Sequence, residues 1–258
     1  MAFEDKVAVV TGGGSGIGRA CALKLATQGA SVVVADLRED LAAQVAKEIE
    51  DAGGRSVSVA CDVSDEASVE AMASAAQDFG GFDVLIASAG IVIPGRFHEI
   101  SLADWERLLR INLTGSFLCA RAAVRAMLES GGGAIVTIGS VSSVVIGAGG
   151  SAASYKASKG GLLQLTRAIA VEYAHENIRA NCICPALVAT NILQHAAQDA
   201  PTWTTPLGQQ ARQLKMEPPI ERVATPEEVA NVAVFCASPD ASYVTGSAIM
   251  VDGGYTAV

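Results

Sequence analysis

The sequence predicts an α/β fold, a doubly wound parallel sheet of about seven strands with helices on both faces. Short runs rich in β-branched residues alternate with helical patterns, which is the order that parallel strands joined by crossover helices require. Most of these runs show no apolar/polar alternation, which indicates that both faces of the strands are covered. The predicted strands are residues 6–11, 31–36, 56–61, 82–88, 133–140, 178–184 and 246–251.

The length of the chain predicts a single domain over residues 1–258, because α/β chains commonly fill about 250 residues as one unit. No repeat, low-complexity tract or linker divides the sequence. The longest irregular stretch, about 191–219, holds four of the eight prolines: Pro201, Pro206, Pro218 and Pro219. Irregular segments of this length in compact domains are usually functional loops. We therefore expect a substrate-binding lid at about 191–219.

The charge balance argues against two classes of partner. Lys and Arg number 18 against 27 Asp and Glu, which gives a net charge of −9. A nucleic-acid-binding protein needs a basic surface, and an anionic membrane surface repels an acidic protein. Apolar residues make up 50% of the chain and charged residues 17%, which predicts a large core rather than disorder. We expect a small-molecule substrate and no nucleic-acid or membrane partner.

The cysteines and the first residues predict a cytoplasmic protein. The six cysteines are scattered and form no Cys-x-x-Cys pair, so buried free thiols in a reducing compartment are favoured. The opening residues, MAFEDKVAVVTG, carry acids where a secretory signal needs basic residues. The uncharged segment 134–155 is interrupted by glycines and serines, so a strand and a loop are favoured over a membrane span. The histidines share no ligand spacing, and no metal site is expected.

A glycine-rich loop follows the first predicted strand. Gly12, Gly16 and Gly18 stand in the order Gly-x-x-x-Gly-x-Gly, and a helix is predicted from about Gly16 to Thr27. Such glycines allow a tight turn and close approach of the backbone to a ligand, and the helix N-terminus presents free N–H groups. The loop therefore predicts a binding site for the pyrophosphate of a dinucleotide.

Asp36 indicates which dinucleotide is bound. It ends the second predicted strand, 18 residues after Gly18, where a carboxylate can accept hydrogen bonds from the adenosine ribose hydroxyls. A 2′-phosphate there would meet a like charge at a cost of about 1–2 kcal/mol in an exposed site. Arg38 can partly offset this repulsion. The sequence therefore favours NAD(H) over NADP(H) as the cofactor.

Tyr155 and Lys159 form the candidate catalytic pair. Their i, i+4 spacing puts both side chains on one face of a helix. A phenol with a pKa near 10 is a weak base at neutral pH, and a neighbouring ammonium group lowers that pKa by stabilising the phenolate. A tyrosine–lysine pair can therefore exchange a proton with a substrate oxygen.

With these motifs in order, the sequence resembles the short-chain dehydrogenase/reductase family, in its short single-domain branch. The resemblance runs from about Lys6 to Gly254 and rests mainly on the glycine loop and on Tyr155-x-x-x-Lys159. It implies a Rossmann-type fold and hydride transfer between NAD(H) and a secondary alcohol or ketone. By the same resemblance, Tyr155 exchanges the proton, and Lys159 lowers its pKa and binds the nicotinamide ribose. Asn112 anchors a proton-relay water.

The resemblance also implies the remaining contacts. Ser140 orients the substrate oxygen, although its gap of 15 residues to Tyr155 is long for the family and Ser142 restores the usual spacing. We favour Ser140 because it ends the apolar strand run. The expected substrate contacts are Ser140, Ser142, Tyr155 and Trp203. The expected cofactor contacts are Gly12, Ser15, Gly16, Ile17, Gly18, Asp36, Asp62, Val63, Ala89, Gly90, Tyr155, Lys159, Pro185, Val188 and Thr190.

Two other functions and an assembly state follow from the same residues. An NADPH-dependent 3-oxoacyl-carrier-protein reductase is disfavoured by Asp36 and by the lack of basic residues in 129–134. A non-catalytic NAD-sensing protein is disfavoured because a sensor has no chemical need for the catalytic residues. Small residues on the predicted Tyr155 helix permit close helix contact, and the family pairs such helices. A homo-oligomer, either a dimer or a tetramer, is therefore expected.

Overall fold

A computed structural model describes residues 1–146, 152–190 and 218–257 of the chain. Its strands are β1 (Val7–Thr11), β2 (Ser31–Asp36), β3 (Arg55–Ala60), β4 (Val84–Ala87), β5 (Gly133–Ile138), β6 (Ile178–Pro185) and β7 (Ala248–Val251). They form one sheet in the order β3-β2-β1-β4-β5-β6-β7, and every neighbouring pair is parallel. Each strand lies within two residues of its predicted bounds. The predicted fold class is confirmed.

Helices connect these strands: α1 (Gly16–Thr27), α2 (Glu39–Asp51), α3 (Glu66–Phe79), α4 (Leu102–Leu109), α5 (Ser116–Ser130), α6 (Ala153–Glu172) and α7 (Pro226–Ala237). A π-helical segment, Arg110–Gly115, joins α4 to α5 without a break in the helical backbone. Local sequence explains where several helices begin. The side chains of Asp65 and Ser101 accept N–H bonds in the first turns of α3 and α4. Thr225 and Glu228 form a capping box at the start of α7.

Apolar side chains cover both faces of the sheet. One face is buried by α1, α2 and α7, which contribute Leu25, Ile49 and Val234 to a single cluster. The other face is buried by α3 and α5, which place Met72 and Met127 against the strands. Burial of each such side chain stabilises the fold by about 1.5–3 kcal/mol. Residues of the central strands are buried on both faces, which explains why their sequences lack alternation.

Arg179, near the amino end of β6, holds the end of α7. Its guanidinium donates to the carbonyl oxygens of Cys236 and Ser238 at 2.8 and 2.9 Å. It also donates to the carbonyl oxygens of Ala237 and Val244 at 3.3 and 3.2 Å. The last carbonyl groups of a helix lack intrahelical partners, and a cation stabilises that end of the helix dipole. Arg179 therefore fixes α7 to the amino edge of the sheet.

Two further features of the described ranges bear on the expectations from the sequence. All six cysteines are buried and free, so the prediction of free thiols is confirmed. None of the helices in 1–146, 152–190 and 218–257 is both long and apolar enough to cross a membrane.

The strand order determines where a ligand can bind. β1 pairs with β2 on one side and with β4 on the other, so the chain reverses its direction of winding between β1 and β4. In open parallel sheets, ligands bind outside the carboxyl ends of the strands at such a switch point. The loops that follow β1 and β4 therefore mark the candidate site.

Candidate active site

The loop after β1 has the geometry of an anion cradle. Gly12 takes a positive φ of +63°, and a Cβ at Gly18 would lie 2.1 Å from the Gly12 carbonyl oxygen. The turn therefore closes this tightly only because Gly18 has no side chain. At the start of α1, Ser15 makes no side-chain capping bond, and the first turn carries no acid. The N–H groups of this helix end are left without an internal partner, and the helix dipole favours an anion there.

Three loops converge on this cradle. A Cβ at Gly12 would lie 2.9 Å from the Cα and N of Ala89, directly after β4. A Cβ at Gly16 would lie 3.2 Å from the Cγ2 of Thr190, after β6. The other predicted contacts here lie close by in the chain: Ile17 packs on the core, Pro185 ends β6, and Val188 is 9% exposed and bridges to Ala224. The crevice is therefore built from the carboxyl ends of β1, β4 and β6.

Asp36 lies beside the glycine loop. One oxygen of its carboxylate accepts the Gly14 N–H at 3.0 Å, and the other accepts the Arg38 N–H at 2.9 Å. The guanidinium of Arg38 pairs with Asp40, at 2.9 Å from Nη2 and 3.4 Å from Nε. The Asp36 carboxylate therefore faces the cradle, while the nearby cation is bound by another acid.

Asp62 and Val63 follow β3 at the same edge. The Cys61 N–H donates to the Asp36 carbonyl oxygen at 2.8 Å, which ties the ends of β2 and β3 together. The Asp62 carboxylate accepts the N–H and the hydroxyl of Ser64 at 2.9 and 2.7 Å. The side chain of Val63 packs over Gly115, where a Cβ would lie 2.8 Å from Val63 Cγ2. Val63 therefore connects this loop with the π-helical segment.

Tyr155 and Lys159 lie in the first two turns of α6. Lys159 is 5% exposed; its Nζ lies 5.6 Å from the centre of the Tyr155 ring and donates to the Ile138 carbonyl oxygen at 2.7 Å. Burial lowers the pKa of Lys159 to about 8. Burial raises the pKa of Tyr155, and a hydrogen bond with Ser140 opposes that rise. Burial favours the neutral form of both groups, and the lowering of the Tyr155 pKa by Lys159 stays a prediction.

Ser140 is the serine that the structure brings to Tyr155. It is 7% exposed and directly follows β5, and its side chain lowers the pKa of Tyr155. The Ser142 N–H donates to Ser140 Oγ at 3.1 Å, and the Ser140 N–H donates to Ser143 Oγ at 3.3 Å. Ser142 therefore supports the turn through its backbone.

Asn112 lies on the π-helical segment and is completely buried. Its Oδ1 accepts the Ile91 N–H at 2.8 Å, and its Nδ2 donates to the Ile91 carbonyl at 2.9 Å and to Ser158 Oγ at 3.2 Å. Gly90 lies between the side chains of Asn112 and Lys159, since a Cβ there would be 3.3 Å from Asn112 Oδ1 and 3.8 Å from Lys159 Nζ. Turns of π-helix are frequent at functional sites, and this one carries a candidate catalytic residue.

Sequence reasoning missed three partners of these residues. Ser158, the main chain of Ile91 and the carbonyl of Ile138 each bond a predicted catalytic side chain. Ser158 had a local signal, because it stands between Tyr155 and Lys159, but its partner lies 46 residues away. Main-chain partners have no signature in side-chain pattern. Trp203 lies outside the described residues, as does all of the predicted lid except Pro218 and Pro219.

A family model described as enoyl-(acyl carrier protein) reductase matches residues 12–256. The chain belongs to the short-chain dehydrogenase/reductase family. Cis-4-hydroxycyclohexanecarboxylate dehydrogenase of Sinomonas cyclohexanicum is 46% identical over 261 residues, covering 100% of this chain and 99% of its own. The resemblance inferred from the motifs is confirmed.

Solved short-chain dehydrogenase/reductases share the whole fold. A candidate NAD(P)-dependent gluconate 5-dehydrogenase from Beutenbergia cavernae with bound NADP matches with a TM-score of 0.89 and 36% identity, covering 100% of this chain and 99% of its own. A 7α-hydroxysteroid dehydrogenase complexed with NADH and 7-oxo glycochenodeoxycholic acid matches with a TM-score of 0.86 and 34% identity, covering 98% and 94%. The family therefore uses nicotinamide cofactors, and its members differ in which one they bind.

The glycine loop of this short-chain dehydrogenase/reductase fits such a cofactor. A side chain at Gly12 would collide with the backbone of Ala89, and one at Gly18 with the backbone of Gly12, so either would distort the cradle. The adjoining helix end carries neither a side-chain cap nor an acid. An anionic pyrophosphate matches both the space and the field at that point. The catalytic candidates lie at the carboxyl ends of β4 and β5, so a dinucleotide bound in the crevice would lie at the same edge of the sheet as these residues.

Proposed function

We propose that this protein is an NAD(H)-dependent dehydrogenase that transfers hydride between the nicotinamide and a small secondary alcohol or ketone. The observation that carries this proposal is a glycine loop that fits a dinucleotide, together with a Ser140 side chain close enough to Tyr155 to lower the pKa of its phenol. Two hydroxyl groups that meet in a crevice can hold one substrate oxygen between them. The buried ammonium of Lys159, on the same helix, can influence the protonation of Tyr155.

The chain's own groups supply proton transfer and orientation. When bound, the nicotinamide supplies the hydride donor or acceptor. The Tyr155 hydroxyl gives its proton to the substrate oxygen in reduction and takes it back in oxidation. Ser140 orients that oxygen by a hydrogen bond. Lys159, in its charged form, stabilises the Tyr155 phenolate, and Asn112 anchors the water through which the proton reaches solvent.

The preference for NAD(H) rests on Asp36 and on the pairing of Arg38. The Asp36 carboxylate lies within 3.0 Å of the Gly14 N–H, beside the cradle. A 2′-phosphate near it would meet a like charge, and Arg38 is bound to Asp40 rather than free to offset that charge. Asp62 and Val63, at the end of β3, complete the adenosine side of the proposed site.

The proposal includes the organisation of the whole protein. Residues 1–258 form one dinucleotide-binding and catalytic domain, with a substrate-binding lid at about 191–219 that includes Trp203. The protein works in the cytoplasm as a homo-oligomer, a dimer or a tetramer. The substrate is a neutral small molecule with a secondary hydroxyl group, because the lid sequence mixes apolar and amide side chains with few charges.

Reduction of NAD with a panel of alcohols tests the proposal. The panel contains cis- and trans-4-hydroxycyclohexanecarboxylate, polyols, hydroxysteroids and hydroxyacyl thioesters, each offered with NAD and with NADP, and formation of the reduced cofactor is followed by absorbance. We expect turnover of at least one secondary alcohol, faster with NAD. The absence of turnover with every alcohol, in a protein that binds NADH, would support the NAD-sensing alternative instead.

A further inference from the structure

Ser158 is a buried hydroxyl group between the two residues of the catalytic pair. It lies three residues after Tyr155 and one before Lys159 on α6, and it is completely excluded from solvent. Its Oγ donates to the Tyr155 carbonyl oxygen at 2.7 Å. The same Oγ accepts from Asn112 Nδ2 at 3.2 Å. One hydroxyl therefore bonds Asn112 and the backbone of the catalytic helix at once.

The bond to Ser158 is the side-chain hydrogen bond that ties Asn112 to α6. The remaining side-chain bonds of Asn112 both go to the main chain of Ile91, in the segment after β4. Nearby contact between the π-helical segment and α6 is apolar, as at Gly161, where a Cβ would lie 3.0 Å from Leu113 Cδ2. Apolar packing is non-directional, whereas hydrogen bonds constrain distance and angle. The Ser158 bond is therefore the directional contact between Asn112 and α6.

Hydrogen bonds from neighbouring helices contact the π-helical segment at Asn112. The backbone of this segment departs from the regular α-helical hydrogen-bonding pattern between α4 and α5, so the position of Asn112 does not follow from ordinary α-helix geometry. The Asn112 main-chain carbonyl accepts from Ser116 Oγ at 2.8 Å. Together, these contacts bond Asn112 to both α5 and α6.

We propose that Ser158 is a positioning residue that couples Asn112 to the Tyr155–Lys159 helix and so keeps the proton path in register with the reacting hydroxyl. The proposal rests on the proposed dehydrogenase function and deepens it. Ser158 touches neither the substrate nor the cofactor in this role. It acts through Asn112, whose place relative to α6 it fixes.

The chain offers a matched control on the same helix. Thr166 is also completely buried, its Oγ1 donates to the Leu162 carbonyl at 2.8 Å, and it pairs with Thr137 Oγ1 at 2.8 Å. Like Ser158, it therefore bonds both its own helix and a neighbouring element. It lies 11 residues beyond Tyr155, about 16 Å along the helix. A packing or stability role affects Ser158→Ala and Thr166→Val alike, whereas a positioning role affects Ser158→Ala alone.

Steady-state kinetics with NAD and a turned-over alcohol, in ordinary and in heavy water, test the proposal. We expect Ser158→Ala to lower kcat by about tenfold or more, since a misplacement of ~1 Å can cost ~10²-fold. The KM for NAD should stay within about twofold, and the solvent isotope effect on kcat should rise because proton transfer becomes more limiting. Ser158→Thr, which keeps a hydroxyl that bonds the preceding turn, should recover most of kcat. Thr166→Val should lose thermal stability but keep kcat and its isotope effect.

The outcomes separate the two levels of the proposal. Wild-type protein without turnover would overturn the dehydrogenase function and the role of Ser158 with it. Turnover in the wild type, with Ser158→Ala and Thr166→Val equal in kcat and isotope effect, would overturn the role of Ser158 alone. If the methyl group of Ser158→Thr disturbs folding, Ser158→Cys replaces it as the conservative variant, and a kcat no higher than that of Ser158→Ala would count against the role.

Discussion

Lys159 donates a hydrogen bond of 2.7 Å from its buried ammonium to the carbonyl oxygen of Ile138, the last residue of β5. This bond anchors the catalytic helix to the sheet, yet burial holds the pKa of Lys159 at about 8 instead of the ordinary 10.5. Below pH 8 the folded protein bears the full cost of burying a charge. Between about pH 8 and 10.5 the folded state releases a proton that the unfolded chain keeps, so stability rises with pH.

Lys159→Met removes this pH dependence. Compared with that variant, the wild type should gain up to about 3 kcal/mol in free energy of unfolding between about pH 8 and 10.5. Urea unfolding of both proteins at about pH 7 and about pH 10 measures the difference. Lys47→Met is the control: Lys47 is exposed and its pKa is raised by Asp51, so no such gain is expected. If the free energy of unfolding changed by the same amount with pH in the wild type and in Lys159→Met, the low pKa of Lys159 would be contradicted.

Tyr155→Phe should remove proton exchange and leave cofactor binding intact. We expect kcat to fall by about 10²–10⁴-fold, the usual contribution of a positioned acid or base. The dissociation constant for NADH should change little, because the anion cradle lies in the loop after β1. Calorimetry and steady-state assays measure the two quantities. Tyr243→Phe, at a completely exposed tyrosine, is the matched control and should match the wild type in both.

The two serines should differ in their effect on turnover. Ser140→Ala removes the hydroxyl group that lowers the pKa of Tyr155 and that we expect to orient the substrate oxygen, so kcat should fall by about tenfold or more. Ser142→Ala keeps the main-chain N–H that donates to Ser140 Oγ, so kcat should stay within about twofold. Assays of both variants under identical conditions decide between the candidates. A larger loss for Ser142→Ala would reverse the assignment.

Cofactor preference should depend on two acids. Asp36→Ala removes the charge beside the cradle, and the ratio of NADP to NAD dissociation constants should fall by about tenfold, as about 1–2 kcal/mol of relieved repulsion implies. Asp40→Asn frees Arg38 and should change the ratio in the same direction, but by only a few-fold, because exposed ion pairs contribute little. Asp51→Asn, also exposed and on α2, is the control and should leave the ratio unchanged. Equal affinities for NAD and NADP in the wild type would refute the preference.

The seven strands and the glycine loop could be read from the sequence because their signals are local. Val32, Val33 and Val34 are all buried in one strand whose two faces are covered. Such an apolar run predicts a buried strand from local sequence alone, whichever strands pair with it. The Tyr155–Lys159 pair was equally visible, since helical spacing alone puts both groups on one face. Local pattern thus predicted the elements and the candidates.

What escaped prediction depends on neighbours distant in sequence. The burial that raises the pKa of Tyr155 comes from the packed fold, which spacing on a helix does not specify. The π-helical backbone around Asn112 has no residue signature, and Ile91 acts through main-chain atoms that every residue has. Asn112, the partner of Ser158, is 46 residues away in sequence, so the bond between them forms only when the π-helical segment packs against α6.

Arg179 and the active site lie at opposite edges of the sheet, and this separation bears on how the protein can be engineered. The guanidinium gathers four carbonyl oxygens around the end of α7, far from the carboxyl ends of the strands. Stability that is lost when loops are rebuilt for a new substrate can therefore be recovered by stabilising mutations at the amino edge of the sheet, without changing a reacting group. A library designed for new specificity should leave Arg179 unmutated, because it secures the scaffold on which altered loops depend.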